Sequence, residues 1–194
     1  MNEAARILRA GGLVAFPTET VYGLGADATN QDAIERLNRV KGRPPGKPYS
    51  LHLHSIEQVR EIVPEVPPVA RRLMQKFWPG PLTIVVPMAS QQTVGLRVPD
   101  HPVAQAFLRA CLVPVAAPSA NRSGDPPPVE ARQVLEALNG LFDCLLDGGP
   151  ATLAQESTVV EIVNGSVEIR RAGAISSEAI FSAARGREGN GRRE

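Results

Sequence analysis

A run of positive side chains with no acid among them is the feature of this sequence that points most directly to chemistry. Between residues 36 and 56 the chain has no Asp or Glu and carries Arg36, Arg39, Lys41, Arg43, Lys47, His52 and His54. The whole chain has a formal net charge of only +1, so these cations concentrate positive potential in one place. Ammonium and guanidinium groups are favoured partners of phosphate and carboxylate. The run therefore predicts a site for an anionic ligand, with a solvated basic loop as the alternative.

The centre of this run, KGRPPGKP at 41–48, predicts how the cations are arranged. Its prolines and glycines keep the segment out of a regular helix, so we expect a shaped loop. Lys41 and Arg43 are two residues apart and would point the same way in an extended segment, and Lys47 could fold back towards them. Converging cations suit a triphosphate, and the chain has no GxxxxGK[ST] loop to bind phosphates through its backbone. The first two arginines of the run fall on a predicted helix and are expected to be surface charges.

Four further segments place polar side chains at the ends of predicted strands or in turns. They are FPTETVYGLGADA at 16–28, TVGLRVPDHP at 93–102, APSANRSGDPPP at 117–128, and ESTVV at 156–160 together with RRAG at 170–173. In the first segment, hydroxyls followed by glycines predict a turn where backbone approaches a ligand, with a helix cap at Thr18 as the alternative. In the third segment, Ser119 and Asn121 either shape a turn or donate hydrogen bonds to a phosphate or a base.

Two arginines in these segments need partners. Arg97 is a lone cation in an apolar strand, and either a structural salt bridge or a substrate carboxylate would pair with it. Arg171 ends one strand of a predicted hairpin whose other strand opens with Ser157 and Thr158, so hydroxyls and a guanidinium are expected to meet at one sheet edge. His52, on another strand, is equally a half-exposed strand histidine or a ligand contact.

The sequence offers no convincing nucleophile. It has no GxSxG motif, no evident Cys–His pair and no paired carboxylates, and the absence of CxxC and HxxxH argues against structural zinc. Cys111 and Cys144 lie among apolar residues and are expected to be buried free thiols. Cations, hydroxyls and an amide suit an enzyme that positions charged reactants and stabilises a phosphoryl or adenylyl transition state.

The elements that must position these residues alternate between helices and strands. Helices are predicted over 2–10, 31–40, 56–62, 67–77, 101–111, 129–139 and 176–184, with Asn30, Ser55 and Ser176 or Ser177 as caps. Strands are predicted over 13–18, 49–54, 82–88, 94–99, 113–121, 142–147, 157–163 and 166–171, with Asn164-Gly165 joining the last two. This order predicts an α/β or α+β domain over 1–184, with a twisted, mixed open sheet flanked by helices. The arginine- and glycine-rich tail at 185–194 is expected to be disordered.

Composition excludes several classes of protein. The chain has 194 residues and 43% hydrophobic residues, which suits one domain with a real core. Near-neutral charge argues against non-specific coating of nucleic acid. No signal peptide and no apolar run long enough for a membrane helix are present, so a soluble, cytoplasmic protein is expected.

Together the five segments resemble the YrdC/Sua5 family of threonylcarbamoyl-AMP synthases. The matching stretches are PTETVYGLG at 17–25, KGRPPGKP with SLH at 41–52, WPGPLT at 78–83, GLRVP at 95–99, APSAN at 117–121, and STVV with RAG at 157–173. Because the sequence stops soon after its last predicted helix, we expect the short, single-domain type of this family. The resemblance implies a YrdC-like fold with a large, positive, concave cavity.

The resemblance also implies an activity. Such enzymes join L-threonine, bicarbonate and ATP into threonylcarbamoyl-AMP and release pyrophosphate. Other proteins then transfer the threonylcarbamoyl group to a tRNA adenosine, so those proteins are implied partners, and contact with tRNA is possible. Mg²⁺ would accompany ATP, held mainly by phosphate and water, because no carboxylate cluster predicts a protein-built metal site.

Roles for single residues follow from the same resemblance. Catalysis would rest on Lys41 and Arg43, which offset charge on the leaving pyrophosphate. The residues implied to bind ATP are Lys41, Arg43, Lys47, Thr93, Ala117, Ser119, Asn121 and Arg171. Those implied to surround threonine are Thr18, Tyr22, His52, Arg97 and Ser157, with Arg97 as the partner of its carboxylate.

Two other functions fit parts of the sequence. One is an RNA-binding module without catalysis, which the basic run and tail permit but the aromatic content of 4% disfavours. The other is a divergent paralogue that acts on another carbamoyl-type substrate.

Overall fold

The architecture is a nine-stranded sheet with helices on both sides, seen in a computed structural model that describes residues 1–43, 48–88, 90 and 92–185. The helices are α1 (Asn2–Arg9), α2 (Gln31–Lys41), α3 (Val59–Ile62), α4 (Pro68–Phe77), α5 (Pro102–Cys111), α6 (Ala131–Leu138) and α7 (Ser177–Arg185). The strands are β1 (Val14–Phe16), β2 (Gly23–Asp27), β3 (Leu51–His52), β4 (Leu82–Pro87), β5 (Thr93–Arg97), β6 (Val115–Ala116), β7 (Cys144–Leu145), β8 (Thr158–Val163) and β9 (Ser166–Arg171).

The sheet is mixed and open, which confirms the predicted fold class. Its strand order is β7-β1-β2-β6-β3-β5-β4-β8-β9. The pairs β1–β7, β3–β5 and β4–β8 are parallel, and the remaining neighbours are antiparallel. The predicted hairpin is present as β8 and β9, with Asn164 and Gly165 both at positive φ.

Two differently covered halves make up this sheet. In the half formed by β7, β1 and β2, Val14 and Phe16 pack with α1 and α5, while Ala15 between them packs with α2 and α6. Both faces of that half are therefore buried. In the other half, Ile84, Leu96 and their strand neighbours on the same face pack against α4 and α7. Side chains alternate along a strand, so the intervening residues of β4, β5 and β8 face the opposite side.

One strand, β2, is absent from the sequence-based prediction. Its sequence GLGAD was interpreted as a turn, yet all five residues are buried and pair with β1 and β6. The glycines are needed here: a Cβ at Gly25 would lie 3.0 Å from Val115 and 3.2 Å from the ring of Phe16. The alternative of a helix cap at Thr18 is wrong. Its Oγ1 instead accepts a hydrogen bond from the backbone of Val21 and closes a turn that leads into β2.

Several element ends also differ from the prediction. The strands predicted over 49–54, 113–121 and 142–147 shrink to the two-residue pieces β3, β6 and β7. Helix α3 begins at Val59 with Gln58 at its N-cap, so the predicted cap at Ser55 is wrong. Asn30 is confirmed as a cap, because its Oδ1 accepts from the Ala33 N–H at 3.1 Å. Ser176 caps α7 in the same way, with Ala179 as the donor.

The remaining fold predictions concern thiols, membrane spans and the tail. Cys111 and Cys144 are free thiols and Cys111 is fully buried, as predicted, but Cys144 is only half-buried. Among the described residues, no helix combines the length and the apolarity that a membrane crossing requires. Helix α7 reaches Arg185, and the predicted disordered tail beyond it lies outside the described residues.

Candidate functional site

A cavity of about 450 Å³ lies on the sheet face opposite α4 and α7. Residues of β3, β4, β5 and β8 form one wall, and the end of α2 and the turn after β6 form another. Most of the predicted site residues line it, namely Thr18, Tyr22, Lys41, Arg43, His52, Arg97, Ala117, Ser119, Asn121, Ser157 and Arg171. The structure therefore gathers into one space residues that are far apart along the chain.

Two predicted site residues are not among those that line this cavity. Thr93 is exposed at the start of β5 and instead borders a neighbouring groove, which shares Arg43 and Tyr49 with the cavity. Lys47 lies outside the described residues. Of the three cations predicted to converge, the structure thus describes Lys41 and Arg43.

Lys41, like Arg97, is a buried cation that lines the cavity. It is the last residue of α2 and not part of an extended loop, because Gly42 takes the left-handed conformation (φ 59°) and ends the helix. Its Nζ donates to the Ser119 carbonyl at 2.6 Å and to Asn121 Oδ1 at 3.1 Å. Burial, with a smaller effect from the charge of Arg43, lowers the pKa of this ammonium group to about 8.

Arg43 is held by an aromatic ring. Its guanidinium lies over Tyr49, 4.5 Å from the ring centroid, and Nη2 donates to the Pro48 carbonyl at 3.2 Å. The Tyr49 hydroxyl donates to Asn38 Oδ1 at 2.7 Å, which fixes the ring against α2. None of these contacts is an ion pair. The positive charge of the guanidinium is therefore not offset by them and can attract an anionic ligand.

The turn after β6 is shaped by Asn121. Its Nδ2 donates to the carbonyls of Asp125 at 2.6 Å and Arg122 at 3.0 Å, while its Oδ1 accepts from Lys41. Ser123 N–H donates to the Lys41 carbonyl at 2.8 Å, so together with the two hydrogen bonds from Lys41 Nζ, three hydrogen bonds join the turn to the end of α2. Of the two roles predicted for Asn121, shaping a turn or donating hydrogen bonds to a ligand, the structure shows the first.

A chain of hydroxyls connects the first segment to Arg97. Arg97 Nη2 donates to Thr20 Oγ1 at 2.8 Å, and Thr20 and Thr18 share a hydrogen bond of 2.8 Å. Thr18 Oγ1 donates to the Val21 carbonyl at 2.7 Å. Arg97 Nη2 also lies 2.8 Å from the buried carboxylate of Glu19. The lone arginine in the apolar strand thus has a structural anionic partner and still lines the cavity.

His52 is buried at the cavity wall and is uncharged. Burial and the positive charge of Arg97, its register partner on β5, lower the pKa of the imidazole to about 3. Its ring lies edge-on to Phe16, with the centroids 6.1 Å apart, and its Nδ1 has no hydrogen-bond partner in the described part of the chain. A neutral imidazole has one donor and one acceptor nitrogen to offer a ligand.

Tyr22 closes the cavity beside the turn at Gly149. The Tyr22 hydroxyl donates to the Gly149 carbonyl at 2.8 Å and accepts from the Gly148 N–H at 3.3 Å. Burial, more than the nearby carboxylate of Asp147, raises the pKa of this phenol. Tyr22 is therefore a neutral, rigid part of the wall.

The Ser157 hydroxyl and Arg171 of the β8–β9 hairpin meet as predicted, whereas the Thr158 hydroxyl instead donates to the Ile175 carbonyl at 2.8 Å. Arg171 Nη2 donates to the carbonyl of Ser157 at 2.9 Å and to its Oγ at 3.1 Å. Ser157 Oγ and Thr83 Oγ1 are 2.9 Å apart in a buried hydrogen bond. Arg171 Nη1 also pairs with Glu156 at 2.6 Å, and both side chains are partly exposed at the rim.

Sequence reasoning missed some residues of the site. Thr83 lines the cavity, and the signal was a single hydroxyl in the apolar strand LTIVVP, on the face opposite Leu82 and Ile84. Thr20 and Glu19 were recognised only as parts of a motif, because their contact with β5 is long-range. Asp125 and Glu156 are the acidic residues at the cavity.

The residues that line the cavity fall into two chemically different groups, termed its two ends. Lys41 and Arg43 bring positive charge to one end, close to the turn shaped by Asn121. Arg97, His52 and the hydroxyls of Thr18, Thr83 and Ser157 form the other end. Such an arrangement can hold a polyanion beside a small ligand that carries a carboxylate and hydrogen-bonding groups.

Several known proteins are similar to this chain in sequence and in fold. The family model Sua5_yciO_yrdC, described as "Telomere recombination", matches residues 6–173. The chain is 42% identical to the threonylcarbamoyl-AMP synthase of Bacillus subtilis (strain 168) over 188 residues, which cover 92% of this chain and 54% of that protein. It spans about half the length of this relative and of the threonylcarbamoyl-AMP synthases of Pyrococcus abyssi and Schizosaccharomyces pombe, to which it is 41% and 38% identical.

Two solved structures have the same fold. P. abyssi Sua5 complexed with L-threonine is 40% identical with a TM-score of 0.89, covering 94% of this chain and 56% of that one. E. coli YciO is 26% identical with a TM-score of 0.82, covering 92% of this chain and 91% of that one.

Proposed function

The chain belongs to the Sua5–YciO–YrdC family, and we propose that it joins L-threonine, bicarbonate and ATP into threonylcarbamoyl-AMP with release of pyrophosphate. The observation that carries this proposal is the meeting of two ends in one cavity: a cationic end at Lys41 and Arg43 and an amino-acid end at Arg97 and His52. A related structure, that of P. abyssi Sua5, holds L-threonine. The product serves threonylcarbamoyladenosine modification of tRNA, and proteins that transfer the group to tRNA are the proposed downstream partners.

The proposed reaction needs no nucleophile from the protein. The amine of threonine attacks bicarbonate, and loss of water gives a carbamate. A carbamate oxygen then attacks the α-phosphate of ATP, and pyrophosphate leaves. Lys41 and Arg43 offset the charge that develops on the leaving group, while Arg97 binds the carboxylate of threonine. His52, neutral at physiological pH, offers a hydrogen bond without adding charge.

The remaining predicted residues divide between these two ends. We assign Lys47, Ala117, Ser119, Asn121 and Arg171 to the ATP side, and Thr18, Tyr22 and Ser157 to the threonine side. Thr93 stays a candidate for the ATP side only through the neighbouring groove, which Arg43 connects to the cavity. Arg171 would have to exchange its contact with Glu156 for a ligand group.

Mg²⁺ fits this site as a companion of ATP. Among the described residues, no group of three or more His, Cys, Asp or Glu side chains could bind a metal ion. Asp125 and Glu156, at the cavity, are the acidic side chains available to a metal-bound water. When bound through phosphate and water, Mg²⁺ supplies charge neutralisation to the triphosphate.

Threonine-dependent release of pyrophosphate from ATP in the presence of bicarbonate tests the proposal. We expect release to require all three substrates and to fall by at least about 100-fold in Arg43→Ala, because that variant loses a phosphate contact. Arg132→Ala, at an exposed Arg–Glu pair on α6, is the matched control and should be unaffected. RNA binding without threonine-dependent turnover would instead favour a binding module, and turnover with another amine would favour a divergent paralogue.

A further inference from the structure

One buried carboxylate at the site has no part in the reaction above. The side chain of Glu19 is 6% exposed, and it is not among the residues that line the cavity. Arg97 does line the cavity, and its Nη2 lies 2.8 Å from Glu19 Oε1. Glu19 therefore sits behind the guanidinium, on the side away from the ligand space.

The Glu19 carboxylate has few partners for a buried charge. Neither of its oxygens has a hydrogen bond of good geometry to any described residue, and its contact with Arg97 is one of charge. Burying a carboxylate in this way is costly, and such ion pairs often stabilise a fold no more than apolar residues of similar volume. A gain in stability is therefore a weak explanation for an acid at this position.

Glu19 is held in place independently of its side chain. Its carbonyl accepts from the Leu153 N–H at 2.8 Å and from Thr152 Oγ1 at 3.4 Å. On either side, the hydroxyls of Thr18 and Thr20 share a hydrogen bond. Neutralising the carboxylate should leave this turn intact and change only what the Arg97 guanidinium faces.

The contacts of Arg97 fix the plane of its guanidinium. Nη2 is shared between the Thr20 hydroxyl and the Glu19 carboxylate, and Nε faces the Gly80 carbonyl at 3.4 Å. The edge that carries Nη1 makes none of these contacts. A planar guanidinium fixed along one edge presents its other donors in a set direction, which suits a carboxylate.

We propose that Glu19 is a positioning residue, whose carboxylate holds the Arg97 guanidinium in the orientation that receives the carboxylate of the amino-acid substrate. This inference rests on the proposed function, because it takes threonine as the ligand of that end of the cavity. Glu19 touches neither substrate. Its loss should weaken threonine binding while leaving the phosphate end, at Lys41 and Arg43, unchanged.

Three variants test this role. Glu19→Gln keeps the shape of the side chain and removes its charge, and Glu19→Asp keeps the charge on a shorter arm. Glu136→Gln is the matched control, since it also removes the acid of an Arg–Glu pair, but an exposed one on α6. The measurements are the Kd of L-threonine by calorimetry and the KM values of threonine and ATP in pyrophosphate release.

For Glu19→Gln we expect the Kd and KM of threonine to rise by about tenfold or more, with the KM of ATP and kcat within about twofold of the unmodified chain. Glu19→Asp should recover part of the loss, and Glu136→Gln should match the unmodified chain. An unchanged threonine Kd in Glu19→Gln would overturn the proposal, and so would equal losses for threonine and ATP, which indicate general damage. Should Glu19→Gln not fold, the same comparison with Glu19→Asp decides.

A second readout keeps this proposal separate from the proposed function. If the unmodified chain neither binds threonine nor releases pyrophosphate with it, the proposed function fails. Hydrogen exchange of the Arg97 Nε–H, followed by ¹⁵N NMR without any ligand, then tests the positioning alone. We expect exchange at least about tenfold faster in Glu19→Gln than in the unmodified chain, and equal rates would overturn the role of Glu19.

Discussion

Lys41 serves the protein backbone and the cavity with the same ammonium group. Two of its donors are occupied by the Ser119 carbonyl and the Asn121 side chain, which leaves one of the three for a phosphate oxygen. A substitution that removes the ammonium also removes the partner of the part-buried Ser119 carbonyl and of the buried Asn121 Oδ1. Loss of activity in Lys41→Ala would therefore mix two causes, and Arg43→Ala isolates the phosphate contact more cleanly.

The pKa of Lys41 predicts how ATP binding depends on pH. Burial lowers this pKa to about 8, so the free protein loses the charge as the pH rises through that value. We expect the Kd of ATP to increase about tenfold between pH 7 and pH 9, because only the protonated form attracts phosphate. Titrations at several pH values provide the measurement. Lys41→Arg, which keeps its charge over this range, should show a flatter dependence, and identical slopes would contradict the assignment.

The pKa of His52 predicts a pH dependence of stability. In the unfolded chain this imidazole has its ordinary pKa of 6.5, whereas burial lowers it to about 3 in the folded protein. Between these values the unfolded state binds the proton and the folded state does not, so stability falls as the pH falls through this window. The slope from this group is at most about 1.4 kcal/mol per pH unit.

Urea unfolding at several pH values measures that slope. His52→Gln should lose less stability than the unmodified chain between about pH 6.5 and pH 4.5. In the NMR spectrum of the folded protein, the His52 ring resonance should stay fixed from about pH 5 to pH 8. A resonance that titrates near pH 6.5 would show that the ring is accessible to protonation.

Among the elements, the strands with an apolar pattern of their own could be predicted from sequence. LTIVVP became β4, and the two strands around Asn164-Gly165 became β8 and β9, because alternation and turn chemistry are local properties. The sequence GLGAD carries no such apolar pattern. Its glycines are required because the Phe16 ring packs across the strand and leaves little room for side chains there. β3 and β6 are only two residues long, and their extent depends on neighbours distant in the chain.

The sequence predicted which residues line the cavity better than it predicted the contacts between them. Cations and hydroxyls at strand ends identified most of the residues that line the cavity. Lys41 was assigned to a loop because the prolines after it dominate the pattern, although a glycine directly after a helical stretch is also a stop signal. The pairing of Arg97 with Glu19 could not be predicted, since it joins β5 to a turn far away in sequence.

Gly173 shows how tightly the hairpin half of the site is built. A Cβ at this position would lie 2.5 Å from the backbone of Glu156, Ser157 and Thr158. Gly173→Ala should therefore force β8 away from residue 173, with a loss of about 1–3 kcal/mol in unfolding free energy and weaker ligand binding through the displaced Ser157 and Arg171. Urea unfolding checks the first effect. Ala172→Ser, at the exposed neighbouring position, is the control and should change stability little.

At the scale of the whole molecule, the sheet is narrow beneath the cavity, where β6 pairs with β2 and β3, and β3 with β5, through two register pairs each. β3 and β6 meet through two register pairs, Leu51 with Ala116 and His52 with Val115, whereas β4 and β8 meet through four. We call the junction of β3 and β6 the seam. On one side of the seam lies the half of the sheet covered on both faces, and on the other lies the half packed against α4 and α7. The cavity takes residues from both halves.

Hydrogen exchange should detect this seam. We expect the amides of β3 and β6 to exchange faster than those of β4 and β8 in the free protein, because fewer paired residues protect them. If the proposed function holds, ATP and threonine contact both halves when bound and should slow exchange at the seam more than elsewhere. Mass spectrometry of short peptides with and without ligands measures this, and uniform slowing across the sheet would contradict it.

The seam also has a consequence for the lifetime of the protein. A ligand that contacts both halves of the sheet stabilises the closed arrangement of the seam. Binding therefore raises the free energy needed to separate the two halves. Proteases often cleave a folded protein only after a local segment has unfolded. Ligand binding at the seam makes such local unfolding rarer. The abundance of this protein in a cell should then rise and fall with the supply of the ligand that fills the cavity.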